Sequence, residues 1–184
     1  FINFMTKEEK FVVNPLVRWF QKNKPGWKLY KPRYGTSATG WDIEVQRKNQ
    51  DLLIEAKYID GSFLASMSGL VMAPLANRPQ HFLKRKYRSW SHGICWAIGT
   101  NYNQQNIYQL LFDYFARNLV FWNHYANDLR MKYVYFVERG KIAQVPISKL
   151  LALTHLYRIQ TKEKKLNERR SIAENLIRKY LNFS

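Results

Sequence analysis

Apolar side chains recur at helical intervals near the start of the chain and predict an amphipathic helix from about Lys7 to Asn23. Thr6 followed by Glu9 has the spacing of a capping box, which marks the beginning of this helix. Pro15 lies inside the pattern and predicts a kink, because proline has no backbone N–H to donate. A Lys-Pro-Gly sequence then ends the helix. The apolar positions are Phe11, Val12, Val13, Leu16, Trp19 and Phe20.

Alternating apolar and polar positions follow this helix and predict three strands, at Trp27 to Arg33, Trp41 to Arg47 and Asp51 to Tyr58. The polar pair Lys48-Asn49 separates the second strand from the third and predicts a tight hairpin turn. The next stretch, Asp60 to Pro79, is rich in Gly, Ser, Ala and Met and predicts an irregular insertion.

The rest of the pattern predicts one more buried strand, one hairpin and several helices. Gly93 to Gly99 is a continuous apolar run, which is typical of a strand covered on both faces. The other predicted elements are a basic helix from Gln80 to Trp90, a helix or helix pair from Gln104 to Leu129, a hairpin from Lys132 to Val145, and helices from Ile147 to Leu156 and from Lys162 to Leu181. The chain therefore begins as helix, three strands, helix, strand and continues as a mostly helical half.

The charge of the chain indicates a polyanionic partner. Its 30 Lys and Arg outnumber 13 Asp and Glu, which gives a formal net charge of +17. Residues 1–100 carry 16 Lys and Arg against 7 acids and residues 101–184 carry 14 against 6, so the excess belongs to the folded body. Nucleic acid is the first expected partner and an anionic membrane surface the second. We expect no membrane association, because no apolar run approaches the roughly 20 residues of a membrane span and no basic amphipathic helix or lipidation motif stands out.

Length and cysteine usage restrict the class of protein further. A chain of 184 residues, 46% of them hydrophobic, suits one domain with a substantial core. We therefore expect a single domain over residues 1–184, with a core at about 6–100 and a helical extension at about 101–184. The single Cys95 cannot form an internal disulfide, which favours a reducing, cytoplasmic setting.

The predicted hairpin brings two acidic residues together. If Lys48-Asn49 is a two-residue turn, Asp42 lies directly opposite Glu55, with Cβ atoms about 4.5–5.5 Å apart. Alternation along the strand places Lys57 on the same face, while the opposite face is apolar. This arrangement depends on the register, because a slip of one residue would exchange the faces.

Two neighbouring carboxylates repel each other unless a cation lies between them. Mg²⁺ prefers carboxylate oxygens and takes further ligands from water and phosphate, and Mn²⁺ is expected to substitute. Such an ion polarises a phosphodiester and activates water, while an ammonium such as that of Lys57 can orient the water or offset charge on the phosphate. The residues are therefore sufficient for metal-dependent phosphodiester hydrolysis.

Asp42, followed by Glu55-Ala56-Lys57 at the end of an apolar strand, resembles the PD-(D/E)XK nucleases, also called restriction endonuclease-like. The order helix, three strands, helix, strand over residues 6–99 is similar to the core of that family. The resemblance implies Asp42 and Glu55 as metal ligands, Lys57 as the catalytic lysine and an acid from the first helix, which would be Glu9 or Glu8. Trp41 stands where the family often has proline. A further family element, Gln-x-x-x-Tyr, occurs at residues 104–108 but follows the last core strand.

We therefore expect an α/β fold with a restriction endonuclease-like core, a mixed sheet and a mostly helical C-terminal elaboration. The expected activity is Mg²⁺-dependent DNA endonuclease, of restriction type by analogy, and a homodimer is compatible with cutting two strands. Homing, repair or junction-resolving nucleases of the same fold, and a non-catalytic nucleic-acid-binding module, are the alternatives. The residues expected to contact DNA are Lys84, Arg85, Lys86 and Arg88.

Each of these sites also has a purely structural interpretation. The acids and Lys57 could form a cross-strand ion pair on a solvated face, and Glu9 could serve only as a helix cap. The basic helix could be an ordinary solvated face, and Glu44 an ordinary surface residue nearer the turn. The four histidines lack metal-ligand spacing, and the aromatic series from Tyr108 to Tyr125 suits a core or a subunit interface.

Overall fold

The computed structural model describes residues 5–30, 42–71, 93–100, 106–128 and 130–184. In these residues six strands form one mixed sheet, in the order β1-β2-β3-β4-β5-β6. The strands are β1 (Lys28–Tyr30), β2 (Ile43–Arg47), β3 (Gln50–Ile59), β4 (Gly93–Thr100), β5 (Met131–Glu138) and β6 (Lys141–Pro146). The expectation of an α/β fold with a mixed sheet is therefore confirmed.

Strands β2 and β3 form the predicted hairpin with the predicted register. Arg47 pairs with Gln50, and the ladder continues to the pair Ile43 and Ile54. The turn needs a left-handed residue, and Lys48 adopts it with φ 50°. Strand β1 is antiparallel to β2 and completes this side of the sheet.

The centre of the sheet is parallel. Strand β4 runs parallel to β3, and β5 runs parallel to β4. The predicted hairpin at Arg139-Gly140 joins β5 to the antiparallel β6, with φ 47° and 77° at its two turn residues. Residues 101–184 therefore contribute two strands to the same sheet as residues 6–100.

Six helices accompany the sheet in the described residues. They are α1 (residues 7–23, a π-helical turn at Glu9–Val13 followed by Asn14–Asn23), α2 (residues 63–71), α3 (Ile107–Ala116), α4 (Leu119–Asp128), α5 (Ile147–Gln160) and α6 (Leu166–Tyr180). The predicted bounds of α1 are confirmed, and a π turn, in which the Asn14 N–H donates to the Glu9 carbonyl, precedes Pro15, where the sequence predicts a kink. Because a π turn is wider than an α-helical turn, it avoids the steric clash between the Pro15 ring and the carbonyl four residues before it.

Two apolar clusters cover the two faces of the sheet. Helix α1 packs Val12, Leu16 and Phe20 on one face, against residues such as Ile54 and Tyr135. Helices α2–α6 pack on the other face, where the largest buried side chains include Trp96, Phe112, Phe115 and Tyr157. The prediction of one apolar and one polar face is therefore wrong, because Leu53 and Trp96 bury the face that carries Glu55.

Two other predictions have different outcomes. The irregular insertion from Asp60 is wrong over residues 63–71, which form α2 with Met67 and Leu70 fully buried. The basic helix predicted at Gln80 to Trp90, which includes Lys84, Arg85, Lys86 and Arg88, lies outside the described residues.

Candidate active site

Asp42 lies immediately before β2, at the end of its ladder with β3. Its backbone N–H donates to the Ile54 carbonyl at 3.1 Å, one step beyond the last ladder pair. Its side-chain Oδ2 accepts the N–H of Ala56 at 2.7 Å, as the carbonyl of a continuing strand would. The Asp42 carboxylate is therefore held against β3 next to Glu55; the ladder ends at the pair of Ile43 and Ile54, so direct pairing of Asp42 with Glu55 stays a prediction.

Glu55 and Lys57 project from β3 on the face that α2–α6 cover. The Lys57 Nζ lies 3.9 Å from Glu55 Oε1, and the two side chains are 30% and 11% exposed. The second carboxylate oxygen, Glu55 Oε2, is buried and has no hydrogen-bond partner among the described residues. Glu55 is thus a largely buried carboxylate that its surroundings satisfy only in part.

The first helix adds a third carboxylate to this group. Glu8 Oε2 lies 3.8 Å from Lys57 Nζ, and the Glu8 side chain is 31% exposed. The sequence left open whether Glu9 or Glu8 is the acid from the first helix. Glu8 has this contact with Lys57. The N–H of Glu9 donates to Thr6 Oγ1 at 3.1 Å, which is the helix-capping interaction that the sequence also predicted.

Three contacts set the position of Glu8. The ion pair between Lys7 and Asp60 joins the start of α1 to the end of β3, with 2.6 Å between Nζ and Oδ2. Phe11 stacks on Tyr58 with ring centroids 5.1 Å apart. Val12 packs on Gly99 of β4, where an added Cβ would lie 2.3 Å from Val12 Cγ2.

Helix α2 positions Lys57 from the other side. A Cβ built on Gly69 would lie 3.2 Å from the Lys57 Cε atom, so the glycine makes room for the lysine stem. The composition rich in small residues that suggested an irregular insertion therefore reflects close packing of α2 on the site.

Burial raises the pKa values of all three carboxyl groups, and repulsion from a neighbouring carboxylate adds to the shift at Glu55 and Glu8. The pKa of Glu55 rises to about 8, because burial penalises its charged form and the charge of Asp42 adds to the effect. Burial also raises the pKa of Asp42, against the Ala56 N–H and Lys57, which lower it. The pKa of Glu8 rises mainly through burial, with Lys57 opposing the shift. One ammonium therefore does not balance three carboxylates.

This donor set fits a divalent cation that retains ligands from water or phosphate. The orphaned Glu55 Oε2 and the excess of carboxylate over ammonium are both features that a cation would relieve. In the described ranges no three His, Cys, Asp or Glu side chains are arranged to enclose a metal ion by themselves. Mg²⁺ is often held by only one or two carboxylates plus phosphate, so Asp42 and Glu55 are the candidate ligands.

Other predicted residues lie elsewhere or in structural roles. Glu44 is buried and accepts a hydrogen bond from Gln46 Nε2 at 2.9 Å. Of the Gln-x-x-x-Tyr element, the Gln lies outside the described residues, while the Tyr108 hydroxyl is buried and donates to Glu138. Cys95 is buried in the core, as predicted.

The polar groups that α6 contributes to the fold could not be identified from the sequence. Arg178 forms an ion pair with Glu138 at 2.9 Å, and Arg169 does the same with Asp113. Arg169 on α6 is therefore engaged in the fold.

Comparison of the chain with family models, curated proteins and solved structures found no match. No helix in the described part of the chain has the length and apolar character needed to cross a membrane.

Proposed function

We propose that the chain is a Mg²⁺-dependent DNA endonuclease whose hydrolytic site consists of Asp42, Glu55, Lys57 and Glu8. The observation that carries this proposal is the convergence of two carboxylates, Glu8 and Glu55, on the Lys57 ammonium, with the Asp42 carboxylate beside Glu55, in a chain of net charge +17. A pure nucleic-acid binder gains nothing from acids placed against a polyanion. An enzyme that must hold a cation beside a phosphodiester requires them.

The order of elements supports the same proposal. Helix α1, strands β1–β3, helix α2 and strand β4 follow the order of the restriction endonuclease-like core that the motif resembles. Asp42 and Glu55-Ala56-Lys57 lie on adjacent strands of that unit. The chain is therefore proposed to have this core, elaborated by α3–α6 and the β5–β6 hairpin.

Asp42 and Glu55 are the proposed metal ligands and would hold the cation through their carboxylate oxygens. Bound Mg²⁺ supplies Lewis-acid polarisation of the scissile phosphodiester and makes water more acidic. Lys57, held by Glu8 and Glu55, presents its ammonium to the non-bridging phosphate oxygen or to the attacking water. Glu8 holds the Lys57 ammonium in place, so we propose Glu8 as the first-helix acid.

Overall charge favours DNA as the substrate, with phosphate contacts that include the four cations Lys84, Arg85, Lys86 and Arg88. By analogy we propose restriction-type cleavage, in which the C-terminal elements read sequence or form a homodimer. Homing, repair and junction-resolving cleavage are the alternative nuclease activities for the same fold and site.

Incubation of the purified protein with supercoiled plasmid tests this function. We expect nicked or linear product with Mg²⁺ or Mn²⁺ and none with EDTA. Mapping of the cut ends separates restriction-type cleavage at fixed sequences from nicking without sequence preference. Strong DNA binding without any cleavage under all metal conditions would instead support the non-catalytic binding module.

A further inference from the structure

A second cleft lies on the helical side of the molecule, among the end of α3, the second half of α5 and the segment leading into α6. Its volume is about 710 Å³. None of its lining residues belongs to the carboxylate group of the proposed hydrolytic site, so it requires an explanation of its own.

The cleft is strongly cationic. Four Lys and Arg side chains and one histidine line it, against a single carboxylate; these are Arg117, Arg158, Lys162, Arg169, His155 and Asp113. Asp113 is already engaged, since its Oδ2 lies 2.9 Å from Arg169 Nη1 and its Oδ1 accepts the Tyr157 hydroxyl at 2.8 Å. Within the described ranges no carboxylate forms an ion pair with Arg117, Arg158 or Lys162. Three cations are therefore free to meet an anion.

Helix dipoles explain only part of this arrangement. Arg117 caps the C-terminus of α3 and Arg158 lies in the last turn of α5, where cations are favourable. Lys162 lies beyond the end of α5, which is at Gln160, and so has no such role. An additional reason is needed for the convergence of all three.

The wall of the cleft is apolar between the cations. Ala116 and Ile159 line it, and Ile159 is 61% exposed despite its size. A lining that contains both cationic and apolar side chains suits a chain of phosphates joined by sugars better than it suits an isolated ion. The Asp113–Arg169–Tyr157 network holds this wall in place without using the three free cations.

We propose that this cleft binds the sugar–phosphate backbone of a nucleic acid at a distance from the hydrolytic site. The inference rests on the proposed function only for the identity of the polyanion. A concave surface with apolar walls suits a strand better than it suits the flat face of a membrane. Arg117, Arg158 and Lys162 contact phosphates, and Ala116 and Ile159 contact sugars.

The test is fluorescence anisotropy of labelled duplex and single-stranded DNA over a range of salt concentrations, in EDTA so that no cleavage occurs. The cleft variant is R117Q/R158Q/K162Q. The matched control, R18Q/K28Q/R47Q, removes the same charges from exposed positions on α1, β1 and β2. Comparison of duplex with single-stranded DNA identifies the form of DNA that binds. A parallel measurement with RNA distinguishes DNA binding from RNA binding.

We expect the cleft variant to bind at least about tenfold more weakly at moderate salt and to lower the salt slope by about 2–3, since each lost phosphate contact removes about 0.9. The control should change both quantities much less. Equal weakening by the two variants would mean that only overall charge matters and would overturn the proposal. So would a lowered melting temperature with unchanged affinity, which is the result of a purely helix-capping role.

Sedimentation with vesicles rich in phosphatidylserine supplies the membrane arm. Loss of vesicle binding by the cleft variant with unchanged DNA binding would overturn the proposal in favour of a lipid surface. Because binding is measured without metal, the outcome is independent of catalysis. Absence of cleavage with intact cleft-dependent binding would overturn only the proposed hydrolytic function.

Discussion

At the residue scale, Glu55 carries the clearest electrostatic cost in the molecule. Its side chain is 11% exposed, one of its oxygens has no hydrogen-bond partner among the described residues, and Asp42 lies beside it. An ionised carboxylate in such a position destabilises the fold unless a cation accompanies it. The position of Glu55 is therefore better explained by binding of a cation than by a contribution to the stability of the fold.

The unfavourable burial of the ionised Glu55 carboxylate predicts how the stability of the metal-free protein depends on pH. The pKa of Glu55 is about 8 in the fold against an ordinary 4.5, so between these values the folded chain holds a proton that the unfolded chain releases. The free energy of unfolding should then fall, by on the order of a few kcal/mol, as pH rises from about 4.5 to about 8. Urea unfolding in EDTA across this range measures the slope.

Glu55→Gln is the control for this dependence, because it keeps the shape of the side chain and removes its charge. It should flatten most of the slope, and Mg²⁺ should restore stability to the wild-type chain at high pH. A metal-free wild-type protein that becomes more stable over the same pH range would contradict this electrostatic description.

The adjacent acids of α1 provide a matched pair of variants. Glu8→Gln removes the partner of Lys57 and should raise the Mg²⁺ concentration for half-maximal cleavage by about tenfold, as loss of an outer-shell partner does. Glu9→Gln changes the same functional group one residue away and should leave the Mg²⁺ requirement as in the wild type. Cleavage rates over a Mg²⁺ titration check both. A larger increase of the Mg²⁺ requirement in Glu9→Gln than in Glu8→Gln would identify Glu9 as the first-helix acid of the site.

At the element scale, the π turn in α1 explains why the sequence left the two acids open. The turn adds one residue between Glu9 and Asn14, which alters the angular positions expected for a regular α-helix. The helix bounds were predictable from Thr6, the apolar period and the Lys-Pro-Gly sequence. The angular positions of the residues before Pro15 depend on how the helix backbone avoids the clash with the proline ring. The apolar pattern carries no information about this backbone adjustment.

The hairpin register was predictable because turn length and side-chain alternation together allow only one pairing. Helix α2 was missed because small residues were interpreted as loop formers. Phe63, Met67 and Leu70 have helical spacing, and Ser62 Oγ accepts the Ala65 N–H at 3.3 Å as a cap, so a signal was present. Coverage of both sheet faces could not be predicted, since it depends on which helices fold over which strands.

The close approach of α1 to the sheet yields a prediction for this element. Gly99→Ala places a Cβ 2.3 Å from Val12 Cγ2 in the core, so α1 must shift and carry Glu8 away from Lys57. We expect a loss of about 1–3 kcal/mol in the free energy of unfolding and a higher Mg²⁺ requirement. Urea unfolding and cleavage assays measure the two effects.

Gly61→Ala is the matched control, because a Cβ at that position meets nothing within 4 Å. It should leave both stability and Mg²⁺ requirement unchanged. Wild-type stability and activity in Gly99→Ala would show that contact between α1 and β4 does not set the geometry of the site.

In the molecule as a whole, two separate groups of residues carry the two proposed functions. The carboxylate group lies at the corner formed by β2, β3 and the start of α1, while the cationic cleft is formed by α3, α5 and the approach to α6. The net charge of +17 attracts a polyanion to both, and only the first contains excess carboxylate. Chemistry and backbone binding are therefore assigned to different parts of one sheet-centred fold.

Single-turnover cleavage of supercoiled plasmid by the wild-type chain and by Glu55→Gln, with DNA affinity measured in parallel, tests whether metal-dependent hydrolysis takes place at the carboxylate group. The wild type should cut in Mg²⁺ and not in EDTA. Glu55→Gln should cut at least about 100-fold more slowly with near-normal DNA affinity, which is the size of effect typical for one lost electrostatic group at an active site. Cleavage by Glu55→Gln at the wild-type rate, or wild-type cleavage that persists in EDTA, would contradict the account.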